Sequence, residues 1–549
     1  MDFSDERKKA GEDFMAEKPR CSSTETGDRR HDTVAAGQIE ELRRDFSVWS
    51  LGSLCLCLMA TWEALSSVVA AALANGGAPC LFYNYCISLI GSLAISSSLA
   101  EIASIWPTAG GKQRINPIGP ETNVSIISLA PKSQMKIASW FTGWISIGGQ
   151  IVLTASAAFS AGLQFQGLIT LNNPDTYVPT RWQGMLFYWL VLLYSAAVNI
   201  WGSRILPHTN LTSDVENVTP FHRLTPSGVL HIAGFLAIMA VLGVMAPKHD
   251  AHFVFVQVTN TSGWENDGVS WLVGLLSAIS TVVLTVGRRY DAACHLAEEM
   301  PRPARNVPIA MVGSVAINGL MGLGYCIILL YSLGNLEDLL ASPTGFPFMQ
   351  LYLNVTGNAV GATILILVVC FIAVAANAAG CTSTSRTYWA FARDSATPYS
   401  KYFAHVHPTL QVPVRAIIAL TLVEMLLGLI YLGNSTAFNA ILSMSVLGMY
   451  ASYLLPIIYM MSCGRKSLRK DQYGSFRLGD RLGWLVNAVA VAWLVLAIVF
   501  CTFPSVQPVT AQNMNYSVVV MGCWLFFGAI FFFAFGRKEY NGPVGIIEM

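Results

Sequence analysis

Leu58-Met59-Ala60-Thr61-Trp62-Glu63-Ala64-Leu65-Ser66-Ser67 sets one carboxylate inside an apolar run that covers residues 47–73. Glu63 is the only acid well inside that run and lies close to its centre. The run exceeds the about 20 residues that a helix needs to cross a hydrocarbon core. An ionisable side chain at that depth is expensive. It marks either a functional site or a polar tie to a neighbouring helix. Thr61 and Trp62 place a hydroxyl and an aromatic face beside it, which favours function.

Eleven further apolar runs follow, at 79–103, 139–162, 184–203, 229–246, 268–287, 309–333, 359–385, 413–432, 436–460, 484–503 and 517–536. Only 12% of the 549 residues are charged, against about 25% in soluble domains. The chain therefore reads as an all-α polytopic membrane protein with 12 transmembrane helices. Residues 1–46 are polar, mixed in charge and without a signal-peptide pattern, and they read as a disordered tail ahead of a retained first helix. Residues 47–460 form a ten-helix core, 461–536 carry helices 11 and 12, and 537–549 form a second tail.

Basic residues orient the chain. With twelve spans, 31 of the 33 Lys and Arg fall on the side that holds both termini, and only Arg181 and Lys248 fall on the other. That basic side is expected to be cytosolic. A multi-pass protein of the plasma membrane, with N- and C-termini in the cytosol, is the expected arrangement. The net charge of +1 gives no sign of a nucleic-acid partner. Most of the twelve cysteines lie within the spans, and no CxxC or Cys/His cluster occurs. No nucleophile–base constellation, metal-ligand spacing or cofactor motif is present, which speaks against an enzyme. Tripeptides at Asn260, Asn354 and Asn515 permit glycosylation on the outer side.

A second interruption is expected in the sixth span. Gly287 follows the apolar stretch Val269–Val286 and opens Arg288-Arg289-Tyr290-Asp291, and glycine costs roughly 1 kcal/mol inside a helix. The two interruptions lie at matching depth in helices of opposite direction, five spans apart. That is the pattern of a five-plus-five inverted repeat whose broken helices 1 and 6 meet at a midplane site, with two extra helices. The bland alternative is that Gly287 ends the helix and the arginines mark its cytosolic edge. Two loops on the basic side also stand out. Glu101-Ile102-Ala103-Ser104-Ile105-Trp106-Pro107-Thr108-Ala109-Gly110-Gly111 closes the second span. Glu298-Glu299-Met300-Pro301-Arg302-Pro303-Ala304-Arg305-Asn306-Val307-Pro308 links the sixth and seventh. Acid–arginine pairing among Glu101, Glu298 and Arg305 is a candidate inner gate, with ordinary loop capping as the alternative.

These residues carry a family resemblance. Ser98-Leu99-Ala100-Glu101-Ile102-Ala103-Ser104 with Pro107-Thr108-Ala109-Gly110-Gly111 resembles the amino acid–polyamine–organocation superfamily, in particular its fungal amino acid/choline permeases. So do Tyr290-Asp291-Ala292-Ala293-Cys294-His295-Leu296-Ala297-Glu298-Glu299 with Arg305-Asn306-Val307-Pro308, and Thr382-Ser383-Thr384-Ser385-Arg386 with Ala390-Phe391-Ala392-Arg393-Asp394. The resemblance runs from about residue 40 to 540. It implies a five-plus-five core, a substrate site between broken helices 1 and 6, and proton-coupled uptake of a small amine. Three stretches depart abruptly from the family pattern: the polar, prolyl Lys112–Ser128, the extra Thr209–Thr225, and Arg288-Arg289.

The sequence thus points to a secondary transporter of an amino acid, γ-aminobutyrate or choline, with a proton as co-substrate. A membrane nutrient sensor on the same fold is the alternative. Ala60, Thr61, Trp62, Glu63, Gly287, Tyr290 and Asp291 are the expected substrate-binding residues. Glu63 and Trp62 would hold the cationic group by charge and by cation–π attraction, and backbone N–H groups at half-helix starts would receive a carboxylate. Proton-driven relatives place a titratable or basic group on the fifth helix. Here that helix offers only His231, whose ordinary pKa of about 6.5 suits a physiological switch. The alternative places His231 at the membrane interface, against lipid or water.

Overall fold

The structure is a computed structural model that describes residues 59–105, 134–209, 226–275, 303–468 and 472–540. No strand occurs among the described residues. The principal helices are α1 (Thr61–Ile105), α2 (Met135–Asn172), α3 (Arg181–Thr209), α4 (Pro226–Met245), α5 (Pro303–Tyr331), α6 (Pro347–Thr356), α7 (Ala359–Arg393), α8 (Val414–Gly433), α9 (Ser435–Tyr459), α10 (Asp480–Phe500) and α11 (Ser517–Phe531). Ten helices in the described residues are long and apolar enough to cross a membrane. The first and sixth expected spans are described only over 59–73 and 268–275. The expected interruption at Gly287 and the three departures from the family pattern lie wholly or almost wholly outside the described residues.

α1 contains a reversal of the chain. Its helical geometry breaks at Gly76 and at Gly77, where φ is 74°, a backbone region that only glycine enters freely. A single straight helix from Thr61 to Tyr85 would be roughly 36 Å long. Yet a Cβ on Gly322 of α5 would lie 2.7 Å from Cγ2 of Thr61 and 2.1 Å from Oη of Tyr85. Two side chains can share that point only if the chain folds back at the glycines. The boundary expected between residues 73 and 79 falls on this break. Both arms pack against α5 and so place the start of α1 deep in the bundle.

Lipid-facing and protein-facing surfaces differ in the way a bilayer requires. Leu190, Leu236, Val244, Leu320, Ile364 and Phe526 are exposed, an apolar exterior that suits hydrocarbon rather than water. Inside, polar side chains tie helices together, as is common in membrane bundles. Thr382 Oγ1 donates to Asn199 Oδ1 at 2.5 Å, Asn199 Nδ2 donates to the Ala378 carbonyl at 2.7 Å, and Thr154 and Thr384 share a 2.9 Å bond. α11 is pinned to α2 by two tryptophans, 4.7 Å apart and stacked. Trp144 Nε1 donates to the Trp524 carbonyl at 3.1 Å, and Trp524 Nε1 returns the bond to the Trp144 carbonyl at 3.0 Å. Each indole lies on a glycine of the other helix, Trp144 on Gly528 and Trp524 on Gly148.

Two features depart from expectation. α2 outruns the expected 139–162 because Gln164, Gln166 and Thr170 are buried against protein, where polarity does not end a helix as it would in lipid. α6 lies in a stretch with no expected helix. Its signals are Pro347 at the first turn and Gly357 as a left-handed C-cap, the usual proline-start, glycine-stop asymmetry. Of the glycosylation tripeptides, Asn260 and Asn515 spend their amides on loop carbonyls and on Asp267, whereas Asn354 is exposed.

Candidate functional site

The site begins at an unusual residue. Ala60 has φ of 38°, a left-handed conformation that is uncommon for a residue with a Cβ and that gathers at functional positions. It breaks the first span at the place its sequence marks. The Ala60 carbonyl accepts from the Ala64 N–H at 2.9 Å, so α1 starts afresh at Thr61 with its first N–H groups unused by the helix. Thr61, Trp62 and Glu63 are all buried there. Thr61 Oγ1, Trp62 Nε1 and Glu63 Oε2 have no hydrogen-bond partner among the described residues. Three unpaired buried polar atoms therefore lie on the first turn of a helix, on residues expected to bind substrate, and unpaired buried polar atoms are costly unless they serve a ligand.

Glu63 is not idle. Its Oε1 lies 2.6 Å from Nδ1 of His231 on α4, and both side chains are almost fully buried. His231 is thus inside the bundle, and the interfacial placement against lipid or water does not occur. Its second ring nitrogen, Nε2, lies 3.2 Å from Oδ1 of Asn318 on α5. Asn318 was not a candidate from sequence. The signal was available, since its side-chain amide lies within the apolar stretch Ser314-Val315-Ala316-Ile317-Asn318-Gly319-Leu320. Trp62 packs at tilted angles among His231, Phe235 and Tyr325, at centroid separations of 5.7–6.2 Å. Beyond it, Ser66 Oγ meets Tyr325 Oη at 2.6 Å, and Tyr325 Oη meets Tyr352 Oη of α6 at 3.0 Å. Two buried polar links therefore tie the helices, Glu63–His231–Asn318 across α1, α4 and α5 and Ser66–Tyr325–Tyr352 across α1, α5 and α6.

The expected inner-gate residues are arranged differently. Glu101 is fully buried, and its carboxylate is taken by Arg465, in the turn after α9, rather than by Arg305. Its other oxygen accepts from the Leu478 N–H at 3.0 Å. Arg465 also donates to the Gly479 carbonyl at 3.0 Å. Phe476 N–H donates to Ser104 Oγ at 3.0 Å, and Ser475 Oγ donates to the Ala304 carbonyl at 3.1 Å. The segment before α10 is thereby clasped to the end of α1 and the start of α5. Burial holds the nearby Tyr473 phenol above its ordinary value, and the Glu101 carboxylate adds to this, so Tyr473 stays neutral. Arg305 is exposed near the start of α5. Gly287, Tyr290, Asp291 and Glu298 lie outside the described residues.

A separate cavity of about 500 Å³ lies among α2, α8, α9 and α11, bordered by Trp144, Ile151, Leu420, Met444 and Phe527. No charged side chain lines it.

Residues 46–525 match the amino acid permease family. The chain is 30% identical over 512 residues to a choline transporter of Saccharomyces cerevisiae, across 92% of this chain and 84% of that one. It is 29% identical over 535 residues to amino-acid permease 2 of Neurospora crassa, across 96% and 91%. Its fold matches the crystal structure of MhsT in complex with L-phenylalanine with a TM-score of 0.53 at 15% identity, covering 82% of this chain and 97% of that one. The broken α1, the buried polar core and the apolar exterior are thus those of a multi-pass membrane transporter, and the chain belongs to the amino acid permease family.

Proposed function

We propose that this protein is a proton-coupled plasma-membrane transporter that takes up a small amine-bearing solute, an amino acid, γ-aminobutyrate or choline, with both termini in the cytosol. The observation that carries this reading is the 2.6 Å approach of His231 Nδ1 to Glu63 Oε1 in the buried interior, one turn from the left-handed Ala60. Sequence relatives named as a choline transporter and an amino-acid permease support the substrate class.

In this reading, Glu63 serves two partners at once. Oε1 faces His231, and Oε2 receives the substrate amine, with Trp62 as an aromatic wall beside it. A substrate carboxylate is received by the free N–H groups at Thr61–Glu63, where the helix dipole favours negative charge. Gly287, Tyr290 and Asp291 complete the site from the sixth span. Glu101, Glu298 and Arg305 belong to the closure of the basic side, which here is held through Arg465. A proton on His231 compensates Glu63 and biases the exchange between outward and inward states.

The test is uptake of radiolabelled choline and γ-aminobutyrate by wild type, His231→Gln and His231→Ala from pH 5 to 8. Both variants should lose the wild-type pH profile and concentrative uptake. Retention of both properties in both variants would remove His231 from the coupling reaction.

A further inference from the structure

The proposed proton site contains a third side chain, Asn318, on the far side of the His231 ring. Asn318 presents its carbonyl oxygen, Oδ1, to Nε2 of His231 at 3.2 Å. A carbonyl oxygen only accepts, so Nε2 carries a hydrogen in this arrangement. On the other side of the ring, Nδ1 and Glu63 Oε1 are 2.6 Å apart, and a proton must lie between them. Without one, a nitrogen lone pair would face a carboxylate in a buried site. His231 and Glu63 together therefore hold two protons on the ring and carboxylate, a net charge of zero.

Unloading one proton has two possible origins. Removal from the Nδ1–Oε1 line leaves the repulsive contact just described. Removal from Nε2 keeps Nδ1–H donating to the Glu63 carboxylate, and it leaves a lone pair on Nε2 that needs a donor. The Asn318 amide supplies that donor by turning over, since its other end is an NH2 group. We propose that Asn318 is the positioning residue of the proton site, and that the exchangeable proton is the one on His231 Nε2. The N–H bond at Nε2 breaks, its electron pair stays on the nitrogen, the proton passes to water, and the His231–Glu63 pair goes from net zero to a net charge of −1. This rests on the proton-coupled reading above.

The described groups that face the ring come from the helices packed around it. α1 brings Glu63 and the Trp62 indole. α5 brings Asn318, and its Tyr325 hydroxyl is engaged by Ser66 and by Tyr352 of α6. α7 approaches α4 with Val368, which lies 2.5 Å from a Cβ placed on Gly234.

Asn318→Asp and Asn318→Leu separate the roles. Aspartate can only accept when ionised, so it holds the Nε2 proton in place. Leucine matches the size and offers neither bond. Purified protein in liposomes loaded with a pH-sensitive dye is supplied with radiolabelled choline or γ-aminobutyrate between pH 5 and 8. Wild type should show a limb of about tenfold per pH unit, as a single proton gives, with proton entry accompanying solute entry. Asn318→Asp, whatever its absolute rate, should vary less than about twofold over that limb and move solute without protons. If Asn318→Asp does not insert, Asn318→Leu supplies the same readout through a reduced ratio of proton to solute entry. A wild-type profile and ratio in either variant overturns the assignment of Asn318. A flat profile without proton entry in wild type overturns the coupling reading itself, which is a different failure.

Discussion

Glu63→Gln is expected to lower the initial rate of solute uptake about 100-fold, the size of losing a charged hydrogen-bond partner worth roughly 3 kcal/mol. Gln keeps the shape, and its carbonyl oxygen still accepts from His231, so the protein should reach the membrane in normal amount. What it removes is the charge that Oε2 offers to an amine and that His231 needs in order to hold a second proton. Both functions fail together because one carboxylate serves both. The measurement is radiolabelled choline and γ-aminobutyrate uptake normalised to surface protein. Uptake equal to wild type would reduce Glu63 to a tie between α1 and α4.

Arg465→Ala is expected to cost stability rather than selectivity. The substitution strands the buried Glu101 carboxylate, which keeps only the Leu478 N–H. Breaking one side of a buried ion pair costs about 3–5 kcal/mol, whereas replacing both partners with neutral groups of similar size is often tolerated. Melting of the detergent-purified protein should therefore fall steeply for Arg465→Ala and recover most of the way in Glu101→Gln combined with Arg465→Met. Identical melting of Arg465→Ala and wild type would show that the clasp between the segment before α10 and the end of α1 does not depend on this pair.

The parts legible from sequence were those governed by local rules. Hydropathy located the ten spans found among the described residues because lipid admits few charges, and Ala60–Glu63 stood out because an acid and an aromatic residue interrupt an apolar run. The gap between the first two apolar runs, 74–78, brackets the reversal, whose geometry at Gly76 and Gly77 the structure supplies. What escaped were relations between distant residues. Glu101 was recognisable as a buried acid, but its partner Arg465 comes from a turn more than three hundred residues later, and a nearer arginine, Arg305, fitted the motif equally well. Asn318 escaped because a single amide in an apolar helix acquires meaning only when His231 faces it. α6 escaped because its length is too short to cross a membrane, although its proline and glycine caps were in plain view. The second broken helix was read from Gly287-Arg288-Arg289-Tyr290-Asp291, which lies outside the described residues, so the site is drawn from the α1 side alone.

The central claim is that solute uptake and proton movement pass through the His231–Glu63 pair. The most direct measurement is internal pH in dye-loaded liposomes containing the purified protein, recorded on addition of choline or γ-aminobutyrate without any imposed ion gradient. Acidification of the lumen that starts with solute, is absent without it, and disappears in His231→Gln is the predicted result. Solute entry with no change in internal pH, the same in wild type and His231→Gln, would contradict it.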